Sequence, residues 1–197
     1  MRYIIVLTKE TINPDNERRK IGILMETFKK DIRHVILRID SKHIEIDINT
    51  DPHTLDKIIK VLNDNGYHVI DKVYIEGIER SYGHWRKEFI RLYDQGRYWE
   101  IHEMLEDIWR SSGDGFIRAL ILLMIPYIKI QMGQYDKAIK AFKRFLEYPC
   151  KDETKYGINL ECIKNQVRKI MDKREAYLYT PVDIKRCIEE NNIATQP

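Results

Sequence analysis

One stretch of the chain, Tyr98-Trp99-Glu100-Ile101-His102-Glu103-Met104-Leu105-Glu106-Asp107-Ile108-Trp109-Arg110, concentrates the side chains that could do chemistry. From His102 it reads H-E-x-x-E-x-x-W. At roughly 100° per residue, Ile101, Met104, Leu105, Ile108 and Trp109 fall on one apolar stripe. His102 lies at the border of that stripe and Glu106 one turn further on, so the two are neighbours across a turn. Glu103, Asp107 and Arg110 fall on the opposite, wetter side. A histidine beside a carboxylate is the pair that proton transfer needs. A zinc metalloprotease helix needs H-E-x-x-H; here Glu106 stands in place of the second histidine, and no third ligand follows nearby. No nucleophile pattern such as G-x-S-x-G accompanies the pair. The structural alternative is a border histidine satisfied by Glu106 and by a carbonyl or Arg118, an odd charge at the start of an apolar helix.

The elements around this helix are helical too. Trp85, Phe89 and Leu92-Tyr93 lead into the turn Asp94-Gln95-Gly96-Arg97, and Tyr98–Ser111 is the motif helix. Ser112-Gly113-Asp114-Gly115 ends it. Phe116–Met132 is apolar nearly all round, as a buried central helix must be, and Pro126 inside it predicts a kink or an irregular turn. Asp136–Tyr148 follows, and further helices are expected over Ile158–Leu178 and Pro181–Asn191. Gly96-x-Tyr98 and Gly133-x-Tyr135 both open a helix, 37 positions apart. Ala138, Phe142 and Leu146 then echo Ile101, Leu105 and Ile108-Trp109. Two such units resemble tetratricopeptide hairpins, with a groove between them.

Gly96-x-Tyr98-x-x-x-His102-Glu103-x-x-Glu106-x-x-Trp109, followed by Arg118 and a long apolar helix ending at a glycine turn, resembles the bacterial and archaeal family called domain of unknown function 309. The resemblance spans about residues 85–148. It implies an all-helical module with no assigned reaction, substrate or cofactor. Members often carry glutamine and histidine on the helix after the motif, where this chain has Leu120-Ile121-Leu122-Leu123-Met124.

The first 79 residues have a different period. Tyr3-Ile4-Ile5-Val6-Leu7 reads as a buried strand, and Ile21, Leu24, Met25 and Phe28 form one helix face after the turn Asn13–Asn16. His34–Asp40 and Lys42–Ile48 read as a hairpin, with Ile44, Ile46 and Ile48 on one face and His43, Glu45 and Asp47 on the other. Asp51-Pro52 opens a helix with the stripe Leu55, Ile58, Ile59 and Leu62, and His68–Ile75 is a last strand. The order β-α-β-β-α-β is the ferredoxin-like arrangement. The expected class is therefore α+β: a ferredoxin-like domain over residues 1–79, then an all-helical domain over 80–197. No pair of stacking aromatics of the RNA-recognition type sits on the strands, and no glycine-rich phosphate loop follows the first one.

Composition narrows the function classes. The chain has 197 residues, 43% hydrophobic and 33% charged, which suits folded domains rather than a disordered chain. The longest apolar stretch, Ile117–Ile130, is interrupted by Arg118, Pro126 and Lys129, so no membrane span is expected. With no export signal either, the expected location is cytoplasmic. Cys150, Cys162 and Cys187 are odd in number and widely spaced, which argues for neither a disulfide framework nor a metal clip. The formal charge of +3 collects towards the C-terminus, where Arg168, Lys169, Lys173 and Arg174 are candidate contacts for RNA. The reading that follows is a non-catalytic binding or scaffold module without a cofactor. Tyr98, His102, Glu103, Glu106, Trp109 and Arg118 would border a groove for a peptide, a small ligand or a second copy of the chain. The alternative is a metal-dependent or acid–base hydrolase using His102 with Glu103 or Glu106.

Overall fold

The computed structural model describes residues 1–75, 84–172 and 181–188. The chain divides into two compact units, Met1–Glu79 and Arg80–Pro197. Among the described residues, no helix is long and apolar enough to cross a membrane.

The first unit runs β1 (Arg2–Thr8), α1 (Pro14–Glu26), β2 (His34–Ile39), β3 (Ile44–Asn49), α2 (Pro52–Asp64) and β4 (His68–Tyr74). The strands order β2-β3-β1-β4, each neighbour antiparallel to the next. This is the ferredoxin-like βαββαβ arrangement, in which each helix crosses over one intervening strand. Both helices begin where a side chain stops the strand-to-helix turn. Asn13 accepts the Asn16 N–H, and Asp51 accepts those of His53 and Thr54, with proline next in each case. One sheet face, with Ile5, Leu7, Ile44, Ile46 and Ile48, packs with Ile21 and Met25 of α1 and Leu55, Ile58 and Leu62 of α2. Each such side chain contributes roughly 1.5–3 kcal/mol by leaving water.

The other face carries charge that is buried rather than solvated. Glu45 and Asp47 are 0% exposed and Arg38 1%. They survive burial by neutralising one another. Arg38 lies 2.7 Å from Asp47 and 3.4 Å from Glu45, and Arg2 grips Asp47 through two hydrogen bonds at 2.7 and 2.9 Å. His43, which the alternation places with the polar residues of β3, is buried with them. Its Nε2 is 3.2 Å from Glu45 and its Nδ1 3.3 Å from Asp40. Burial alone would lower the His43 pKa, but hydrogen bonds and attraction to Asp40 and Glu45 outweigh it and push it up to about 9.

The second unit runs α3 (Trp85–Asp94), α4 (Tyr98–Ser112), α5 (Gly115–Gln131) and α6 (Tyr135–Glu147). A short hairpin follows, β5 (Thr154–Lys155) with β6 (Ile158–Asn159), then α7 (Leu160–Asp172) and a 3₁₀ turn over Ile184–Cys187. The two glycine turns share one backbone solution. Gly96 and Gly133 have φ of 74° and 71°. Arg97 N–H returns to Leu92 C=O in the first turn, and Gln134 N–H to Lys129 C=O in the second. These are the bonds of a Schellman stop, which glycine meets without Cβ strain. Helix α5 is continuous through Pro126.

Three expectations change here. The helix expected from Ile158 starts at Leu160, because Ile158 and Asn159 pair with Thr154 and Lys155 instead. Of the Pro181–Asn191 helix, only the 3₁₀ turn forms among the described residues; Asp183 N–H is already taken by the Gln166 side chain. Cys162 and Cys187 are joined in a disulfide, leaving Cys150 free. Folding brings together two residues that spacing alone held apart.

A raised histidine pKa stabilises the folded state in full below its unfolded value, and the contribution is lost as pH rises through the folded one. Unfolding by urea is therefore expected to become easier between about pH 6 and about pH 10, with up to about 3 kcal/mol traceable to His43. In His43→Gln that part of the pH dependence disappears, and comparing the two urea midpoints across the range checks it. An unchanged slope in the variant would remove His43 as the cause.

Candidate functional site

What places the motif helix is the turn before it. Gln131, buried at the end of α5, donates from Nε2 to Gly96 C=O at 2.7 Å. Tyr98, the first residue of α4, enters a cluster of tyrosines, 5.3 Å from the Tyr93 ring and 5.0 Å from that of Tyr127. Ile101, Met104 and Leu105 continue into the core. At the far end Gly113, with φ of 65°, closes α4, and Asp114 caps α5 by accepting the Phe116 N–H. Asp114 also accepts from Lys155 at 2.9 Å and Tyr156 at 2.7 Å, which docks the β5–β6 hairpin against this corner.

With its core face fixed, α4 presents a second row one step round the helix. Trp99, His102, Glu106 and Trp109 recur at i, i+3, i+7 and i+10, all partly buried. The Trp99 and His102 rings stack almost parallel, 6° apart in plane and 5.5 Å between centroids. His102 Nδ1 lies 3.6 Å from Glu103 Oε1, and Nε2 lies 3.7 Å from Glu106 Oε1. The His102 side chain is 14% exposed, while Glu103 and Glu106 are 30% and 29% exposed, so the carboxylates open the group to solvent. Glu106 also accepts from Arg110 at 2.5 Å. One ligand atom each from His102, Glu103 and Glu106 can be chosen within 4.8 Å of the others, a spacing that a metal ion could bridge.

The structure brings together His102, Glu103 and Glu106, with Trp109 on the same row. Glu103 turns towards His102 instead of keeping to the wetter side, since its flexible side chain spans the gap between adjacent positions. Arg118 is not the partner of His102: its guanidinium sits over the Trp109 ring at 4.8 Å, a cation–π contact. Tyr98 is a core residue, 6% exposed. Trp99 was missed by the motif, although its i,i+3 relation to His102 was a readable signal. Of the candidate RNA contacts, Arg168 is engaged by Glu161 at 2.6 Å and Asn165 at 2.7 Å. Lys169 is exposed on α7; Lys173 and Arg174 lie outside the described residues.

Residues 87–141 match the family model described as Domain of unknown function (DUF309). The matched segment, a part of the chain, holds the whole His102–Trp109 motif and both glycine turns. No curated protein and no solved structure matches the chain.

The row and the turn that positions it differ in what they cost when altered. Glu106→Gln, which removes a part-exposed ion pair, is expected to change unfolding free energy by less than about 1 kcal/mol. Gly96→Ala, forced into a left-handed backbone, is expected to cost about 1–2 kcal/mol. Thermal unfolding of the two variants side by side checks the order; equal losses would mean that the turn is not what sets the helix in place.

Proposed function

We propose that the helical unit is a non-catalytic binding module whose ligand is met by Trp99, His102, Glu103, Glu106 and Trp109. The observation that carries this reading is the Trp99–His102 stack beside two partly exposed carboxylates. Trp99 and Trp109 pack against the edge of the core while staying partly exposed, and a merely solvated face would not assemble two indoles and an imidazole in one row. Flat apolar surface with a few directed polar groups suits a peptide side chain or a small organic ligand, with the carboxylates favouring a cationic group. The matched turns at Gly96 and Gly133 support a pair of tetratricopeptide-like hairpins as the scaffold, and such hairpins hold partner segments along a groove. A second copy of the chain is a further occupant of this class.

One observation favours a second reading. The ligand atoms of His102, Glu103 and Glu106 are close enough for a divalent metal ion, and histidine with carboxylates is a donor set that zinc or manganese accepts. In that reading the ion would activate water for hydrolysis. Against it, Arg110 already neutralises Glu106.

Native mass spectrometry of the gently purified protein, followed by titration with zinc and manganese, separates the two. The binding-module reading expects an organic ligand or a partner chain that is lost in His102→Ala and Trp99→Leu, without metal at stoichiometric amount. A metal bound one to one, lost in His102→Ala and accompanied by hydrolysis that a chelator abolishes, would overturn it in favour of the second.

A further inference from the structure

The segment 182–188 binds to four separate elements of the helical unit. Val182 C=O accepts from the Tyr93 hydroxyl of α3 at 3.0 Å, and its N–H donates to Tyr127 Oη of α5 at 3.1 Å. Gln166 of α7 holds Asp183 on both sides, accepting its N–H at 2.8 Å and donating to its C=O at 2.9 Å. Lys185 reaches Asp94 at 2.7 Å, and Ile188 bridges to Ile158 of β6. The segment is a strap laid across the bundle, and its covalent fastening is the disulfide from Cys187 to Cys162 on α7.

The two ends of that bond differ. Cys187 is 4% exposed, whereas Cys162 is only partly buried, so Cys162 is the more accessible half of the bond. Gln166 Nε2 lies 3.0 Å from Cys187 Sγ and 4.0 Å from Cys162 Sγ, placing an N–H donor beside the buried sulfur. The Cα atoms, 5.6 Å apart, are at the ordinary separation for a disulfide. We propose that Cys162 and Cys187 form a reversible thiol–disulfide site that fastens and releases the strap according to the surrounding dithiol. A thiolate of the dithiol attacks Cys162 Sγ and forms a mixed disulfide; Cys187 leaves as a thiolate, received by the Gln166 amide, and takes up a proton. The second thiol of the reagent then displaces Cys162, so one protein disulfide and one dithiol become two protein thiols and one oxidised reagent. Released, the strap is held by its non-covalent contacts to Tyr93, Tyr127 and Gln166 alone, which open more often once the loop is no longer closed. This site is independent of any ligand at the α4 row.

Thiol counting on the full-length protein tests the proposal, by alkylation after denaturation and mass spectrometry. The expected count is one thiol, Cys150, after incubation with oxidised dithiothreitol, three after native incubation with the reduced reagent, and one again on reoxidation. Hydrogen exchange of the amides at 183–187 is expected to rise several-fold on reduction, with that of α1 and α2 unchanged. Three thiols under oxidising conditions, or a bond to Cys150, would overturn the site. A bond that native dithiol leaves closed, or a strap whose exchange ignores its redox state, would overturn the release. The wild-type chain supplies these counts, so the test stands even if Cys162→Ser fails to fold.

Discussion

Helix α5 is apolar around nearly its whole circumference, and an apolar helix in water must be wrapped. Phe116, Ala119, Leu120, Leu123, Met124, Tyr127 and Ile128 are all buried and cover about half of the circumference, and Ile117 and Ile121 widen that arc. Antiparallel neighbours on both sides are the economical answer. Short glycine turns supply α6 after α5, and the equivalent turn sets α4 after α3. The position of the motif helix is thus a consequence of burying α5: Gln131 at its end fixes Gly96, and Tyr127 on its flank receives Tyr98. With one face of α4 committed to that core, the adjacent row of Trp99, His102, Glu106 and Trp109 is left at the boundary with water, where polar and aromatic groups can meet a ligand.

Much of the fold was legible because periodicity reports burial directly. The alternation in β3 and the stripe in α2 name their buried faces without any partner being known. The glycine turns were legible for a different reason, since only glycine enters a left-handed stop without strain. Legibility ended where an outcome depends on which elements become neighbours. The acids of β3 look like a solvated face until Arg38 and Arg2 arrive from the flanking strands. The two-residue strands β5 and β6 are too short to show a period. Cys162 and Cys187 are separated by 25 positions, and nothing local announces that a strap returns to α7.

The candidate site was legible in part. His102 and Glu106 share a face by arithmetic alone, as expected of i and i+4. The position of Arg118 could not be had that way. A charge at the start of an apolar helix needs somewhere to go, and the sequence offers both an acid and an aromatic face within reach. The structure chooses the Trp109 ring, which leaves Glu106 to Arg110. That choice matters chemically, because the imidazole then faces two carboxylates, one of which it shares with Arg110.

The buried charges of the sheet also carry information that its apolar face lacks. Ile44, Ile46 and Ile48 are identical and evenly spaced, so sliding β3 by two residues against β2 would present the helices with nearly the same surface. A slide by one is forbidden by side-chain alternation; a slide by two is not. It is the opposite face that distinguishes the alternatives. In the native pairing Arg38 stands across from Glu45 and Ile36 from Asp47. Shifted by two, Arg38 would face either His43 or Asp47, and the remaining charges would lose their matched neighbours. Three repeated isoleucines supply cohesion without an address, and the unlike charges behind them supply the address.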